Sequence, residues 1–194
     1  VSNVTIKNIY FRGVQNTYGT GFNIHHNTVQ NVQADPSSIA MFNSTGGGIF
    51  ANNTVSGAGD GISANHSKGT QFLNNTVTTS ASGIHTDNAG DGGGSADLID
   101  GNIVTNSQLY GYGIWVFVPF IAPTVQNNTV TNVDVGMGSF AGAFGPTVAP
   151  VFTNNTIDGQ SNPGSTGFYI TNTTWFWGVT NVATTFTGNI VKNN

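Results

Sequence analysis

Phe72-Leu73-Asn74-Asn75-Thr76-Val77 is the stretch that decides the fold. Its second half, Asn-Asn-Thr-Val, recurs as Asn52 to Val55, as Asn127 to Val130 and, with Ile for Val, as Asn154 to Ile157. Degenerate copies are Asn27-Thr28-Val29, Asn102-Ile103-Val104 and Asn189-Ile190-Val191. Marking the Asn before Thr or Ile gives Asn27, Asn53, Asn75, Asn102, Asn128, Asn155 and Asn189, with steps of 26, 22, 27, 26, 27 and 34 residues. A repeat of this length is the signature of a solenoid, in which each unit buries its apolar face only against its neighbours.

Within the stretch, period-2 alternation broken once at a bend puts Phe72 and Val77 inside and Thr76 outside. An Asn repeated at one bend is expected to stack on its copies, each amide bonding the next coil. A second strand in each coil opens with Gly or Ser before an apolar residue: Ser38-Ile39, Gly61-Ile62, Gly83-Ile84, Gly113-Ile114, Gly136-Met137 and Gly167-Phe168. The glycine there suits a corner that needs positive φ. Trp175-Phe176-Trp177, in the long last step, reads as an extra short strand or a protruding loop. Helical periodicity is absent, and Gly, Asn, Thr and Val disfavour helix throughout.

The 194 residues are the length of one domain, 1–194, or of a piece cut from a longer array. Only 6% are charged, against about 25% in ordinary globular chains. Asn and Thr, 26 of each, supply the polar surface instead. With 37% hydrophobic residues and a net charge of -4, the chain lacks the signature of disorder. Four Lys+Arg make nucleic acid and an anionic membrane poor partners. No apolar run is long enough to span a membrane as a helix. The absence of cysteine excludes disulfides and thiolate metal sites. Eight Asn-x-Ser/Thr sequons begin at Asn3, Asn43, Asn52, Asn65, Asn74, Asn127, Asn154 and Asn172, four of them inside the repeat phrase. They read as glycosylation acceptors or as plain repetition of a structural motif.

The phrase x-Asn-Asn-Thr-Val followed by Gly-Ile resembles the repeats of right-handed parallel β-helix proteins, among them the pectate-lyase-like superfamily and the NosD-like and mannuronan-epimerase-like modules. The resemblance covers nearly the whole chain. It implies an all-β, single-stranded right-handed parallel β-helix of about seven coils, placed outside the cell or on its surface. It also implies processing or binding of polysaccharide.

Registering the second strands on their inward residue turns the positions one and three further on outward. These are Ala40 and Phe42, Ser63 and Asn65, His85 and Asp87, Trp115 and Phe117, Gly138 and Phe140, Tyr169 and Thr171. His85 and Asp87 lie about 7 Å apart along one strand, and Trp115 and Phe117 about 5 Å away on the next. Aromatic faces beside hydrogen-bonding groups suit sugar rings and their hydroxyls. Ser63, Asn65, Trp115, Phe117, Phe140 and Tyr169 are therefore candidate ligand contacts, and His85 and Asp87 candidate catalytic groups. Aromatics tucked under a loop and a protein contact are the competing readings.

A lyase or epimerase calls for cations and a base, yet Lys7, Arg12, Lys68 and Lys192 all fall outside the strip. Asp35-Pro36-Ser37 lacks the His of the epimerase-like Asp-Pro-His motif. A glycoside hydrolase needs two carboxylates, and the chain has no Glu. The acidic loop from Asp87 through Asp91 to Asp97 could offer oxygen ligands to Ca²⁺, or be an Asx-rich turn. No other cofactor is implied. His25-His26 and His66 show no recognised ligand spacing and read as solvent or bend positions. Thr76-Val77-Thr78 and Thr129-Val130-Thr131 resemble the Thr-x-Thr ranks of β-solenoid ice-binding proteins, although Thr is an ordinary outward strand residue. Both ends read like coil sequence, which leaves end-to-end stacking of copies into a filament as the structural alternative.

Overall fold

The computed structural model describes residues 1–34, 37–79, 81–87, 94–105, 111–117, 121–140, 150–160, 162–171, 173–174, 178–179 and 183–194. Three sheets run the length of the molecule, with seven, eight and seven strands. Every pairing in them is parallel, and each strand pairs with its counterpart one coil away. Along the chain a coil visits sheet 1, sheet 2 and sheet 3 in turn, as in Gln71–Leu73, Thr76–Thr78 and Ser82–Asp87. Six coils are complete. A partial coil precedes them (Thr5–Ile9 and Arg12–Thr17), and another follows them (Thr185–Thr187 and Ile190–Lys192). This is the parallel β-helix that the repeat implied. Parallel crossovers of this kind are right-handed almost without exception.

The repeat phrase thus carries two strands, where one broken strand was expected. The first Asn of each doublet is the reason. Asn52, Asn74, Asn127 and Asn154 have φ of +51° to +55°, and His26, Gly101 and Gly188 take the same corner at +55°, +69° and +65°. A single left-handed residue turns the chain from sheet 1 to sheet 2, and Asn, His and Gly are among the residues that tolerate it.

The second Asn forms the expected ladder. Asn27, Asn53, Asn75, Asn102, Asn128 and Asn155 each give a backbone N–H, at 2.9–3.0 Å, to the Oδ1 of the next ladder Asn. Their Nδ2 groups donate to the same oxygen and, across the core, to a sheet 1 carbonyl of the preceding coil, such as Phe72 O from Asn102. The amides from Asn27 to Asn155 are at most 1% exposed yet fully employed, which is the condition for burying them.

Inside, three apolar ranks meet. Sheet 1 contributes Ile24, Phe50, Phe72, Ile99, Val125 and Phe152, sheet 2 Val29 to Ile157, and sheet 3 Val14, Met41, Ile62, Ile84, Ile114 and Met137. Phe50 stacks on Phe72 at 5.7 Å between centroids, and Phe152 on Phe186 at 5.5 Å.

Two expectations are corrected. Gly61, Gly83, Gly113, Gly136 and Gly167 do not have positive φ. They are needed for space: a Cβ on Gly83 would lie 2.2 Å from Val104 Cγ1 and 2.4 Å from the carbonyl of Gly113, and Gly61 and Gly113 likewise each face a valine methyl (Val77, Val130) and the carbonyl of the next rank glycine (Gly83, Gly136). The first-coil register also shifts by two. Met41, not Ile39, pairs with Ile62, so Ala40 stands in the glycine rank, fully buried, and is not an outward residue. Trp175-Phe176-Trp177 lies outside the described residues, between Thr173–Thr174 and Gly178–Val179, which pair antiparallel.

Candidate functional site

The strip stands on sheet 3. Pairing aligns Phe42, Ser63, His85, Trp115, Gly138 and Tyr169 in one outward rank. Two residues further on, Asp87, Phe117, Phe140 and Thr171 form the second, which Asn65 joins on the coil before Asp87. Ala40 is buried and Phe42 stands in the first rank beside Ser63 instead of the second; the other expected strip residues keep the positions that alternation gave them.

The rings form one continuous cluster. His85 lies nearly flat on Trp115, centroids 4.6 Å apart and planes at 14°. Trp115 meets Phe117 and Phe140, each at 5.3 Å, and Phe140 meets Tyr169 at 5.8 Å. Tyr112 is a member that sequence reasoning missed. Its ring lies over Gly138, where a Cβ would come within 2.6 Å, and stacks on Trp115 at 5.3 Å. The bare glycine among aromatic neighbours was the available signal. Tyr169 is the most open ring, 45% exposed, while Tyr112, Trp115, Phe117 and Phe140 are half-buried.

Electrostatics follow from this packing. His85 keeps some surface, but its Nε2 is inaccessible, and burial lowers its pKa to about 4. The imidazole is neutral at pH 7 and too weakly basic to be a strong general base there. Burial, and then the neighbouring Tyr169, raise the Tyr112 pKa. Three polar atoms in consecutive coils of one rank, Ser63 Oγ, His85 Nε2 and Trp115 Nε1, are buried without a hydrogen-bond partner. At the upstream end the Arg12 guanidinium sits 4.1 Å from the centre of the Phe42 ring, so a cation does reach the strip.

The acidic loop divides. Asp91 lies outside the described residues. Asp97 is 1% exposed, and both its oxygens are taken: Oδ1 accepts from Ser67 Oγ (2.7 Å), Gly69 N (3.0 Å) and Thr70 N (2.8 Å), and Oδ2 from Thr86 Oγ1 (2.5 Å). Its pKa is raised by burial, against the pull of those four bonds. It ties coils together, with both oxygens engaged in those bonds. Asp87 stands in the strip. Among the described residues no three His, Cys, Asp or Glu side chains converge on a point that could hold an ion.

Among the sequons, Asn43 is fully buried, bonded to Asn16 and Gly46, and is inaccessible to a glycan in the folded chain. Asn52, Asn74, Asn127 and Asn154 are the exposed left-handed corners, and Asn3 and Asn65 keep some exposure. Asn172 lies outside the described residues.

Residues 1–139 match the model of a family described as periplasmic copper-binding protein (NosD). The chain belongs to the NosD family. That description places the family outside the cytoplasm, in keeping with the coarse sense of the location expected from the repeats. No curated protein and no solved structure matches the chain.

Proposed function

We propose that this NosD-family β-helix binds a neutral or weakly charged polysaccharide, outside the cytoplasm, along the His85–Trp115–Tyr169 strip. The observation that carries the reading is the row of unpaired polar atoms at Ser63, His85 and Trp115 beside stacked aromatic rings. A buried polar group left unpaired costs about 1–3 kcal/mol, and three in register call for a partner. Sugar hydroxyls both donate and accept, while the apolar ring face of a sugar packs on Trp or Tyr. Access to the buried atoms of the row requires side-chain rotation, and Trp115 and Phe117 are half-buried. A strip with a neutral histidine, one carboxylate and a cation only at its edge favours an uncharged chain over a polyuronate. It also favours binding over turnover, since paired carboxylates and a well-tuned base are lacking. Calorimetric titration with a panel of neutral and uronate polysaccharides tests this. The reading expects saturable binding of a neutral glycan that Trp115→Ala weakens at least tenfold. Affinity unchanged in that variant, or no binding across the panel, would overturn it.

The family's description raises copper as well. The strip does not fit it, because His85 stands without a second nitrogen or a sulfur ligand. The chain has no cysteine, and both methionines, Met41 and Met137, are sealed in the core. The nitrogen donors that do stand together are His25 and His26, with Nδ1 atoms 2.9 Å apart.

A further inference from the structure

On the reading of the strip as a glycan site, the geometry points further, to an extended β-1,4-linked pyranose chain lying along the axis of the β-helix with one sugar over each coil. His85 stands on the coil before Trp115, and its ring is nearly parallel to the indole, 14° at 4.6 Å. On the other side the Tyr112 ring, held over Gly138 of the following coil, lies at 29° and 5.3 Å. Both faces of the indole are thus occupied by neighbours, and the three rings stack along the axis. A ligand meets the edges of this stack rather than its faces. The unpaired atoms are edge atoms, His85 Nε2 and Trp115 Nε1, and Ser63 Oγ continues their line on the coil before.

The row sets a repeat. Paired strands lie about 4.8 Å apart, so one polar atom recurs at that interval along the axis. A ligand crossing the strip along a strand meets a single row atom, and the next outward rank is about 7 Å away. Serving all three atoms therefore needs a hydroxyl at every strand spacing. Equatorial bonds at C1 and C4 stretch a pyranose chain into a flat ribbon whose sugars advance by close to that distance, with hydroxyls along both edges. An axial bond at C1, as in α-1,4 linkage, winds the chain away from a straight row. Hydroxyls also suit each atom: the Trp115 Nε1–H only donates, Ser63 donates or accepts, and His85 Nε2 does either according to its tautomer. The row has a length as well. Upstream it gives way to Phe42, an apolar side chain with the Arg12 guanidinium packed on its ring. From Ser63 the rank runs through His85, Trp115 and Gly138 to Tyr169, five coils in all.

Calorimetric titration of the full chain with β-1,4-linked glucose and mannose oligomers of increasing length tests this, with α-1,4-linked glucose oligomers of the same lengths for comparison. The expected affinity in one of the β series rises about two- to tenfold per added sugar, the net worth of one hydrogen bond, and levels off at about five sugars. The α series binds at least tenfold more weakly at that length. Tyr169 lies half-exposed outside the core, so Tyr169→Ala keeps the fold. It should move the plateau one sugar earlier and leave shorter oligomers unaffected, whereas Trp115→Ala weakens every length. A plateau at two sugars, α-linked oligomers bound as tightly, or a plateau that Tyr169→Ala leaves in place would overturn the axial ribbon while the strip remains a glycan site. A different neutral glycan bound in place of both β series would do the same. Absence of binding to every neutral glycan removes the strip reading itself, and the ribbon with it.

Discussion

The two asparagines of the repeat phrase are adjacent, identical and differently employed. The first is exposed and kept for its left-handed backbone, and the second is buried and kept for its amide. The ladder role makes a definite prediction. Asn102→Ala strands the N–H and amide of Asn75 and the carbonyl of Phe72. At about 1–3 kcal/mol for each of the three buried groups, the loss should be at least about 3 kcal/mol in urea unfolding. Asn102→Asp keeps an oxygen for Asn75 but turns a second one toward Phe72 O and Asn128 Oδ1, so it should cost at least as much at neutral pH. A loss under about 1 kcal/mol in both variants would show that the ladder is ornamental. His85 predicts a pH dependence. Its pKa falls from 6.5 unfolded to about 4 folded, so the unfolded chain binds more protons between those values. Its contribution to stability is complete above pH 6.5 and declines as pH drops toward 4. His85→Gln should flatten the stability profile in that window, and an unchanged slope would mean that the imidazole is not desolvated.

Strand by strand, the sequence was informative where side chains repeat and silent where a rank is filled by exception. The period, the core residues Phe72 and Val77, the ladder and the order of the strip were all legible from spacing. The third strand was hidden inside the Asn doublet, because a left-handed residue leaves no mark when Asn serves both the corner and the ladder. The first coil slipped by two because Ser38-Ile39 imitates the Gly-Ile marker while Ala40-Met41 holds the true register. Tyr112 escaped because it enters the strip through the missing side chain of Gly138 and not by alternation. The glycine rank was legible, but for the wrong cause. Crowding, not left-handed backbone, predicts that Gly83→Ala drives a methyl into Val104 and the Gly113 carbonyl. Overpacking of this kind costs about 1–3 kcal/mol, and relief in the pair Gly83→Ala with Val104→Ala would confirm the contact. An Ala substitution that leaves the melting temperature unchanged would refute it.

Taken whole, the molecule presents three long faces and two ends with different prospects. Sheet 2 aligns Thr28, Thr54, Thr76, Thr129 and Thr156 in register, but Ile103 interrupts that rank, and Gln30 and the Asp158–Lys192 ion pair at 3.2 Å interrupt the second. Such a face is ordinary strand surface as much as an ice-ordering lattice. Val4 stands in the ladder rank beside Asn27, where its backbone N–H donates to the Asn27 Oδ1. The face that combines aromatic rings with unsatisfied polar atoms is sheet 3. Nuclear magnetic resonance of the tryptophan indole N–H groups, with Trp115 identified through Trp115→Phe, reports most directly on that face during glycan titration. The strip reading predicts that the Trp115 indole proton moves downfield as its unpaired N–H gains a hydroxyl acceptor. A glycan that binds while this resonance stays in place would show that the site lies elsewhere.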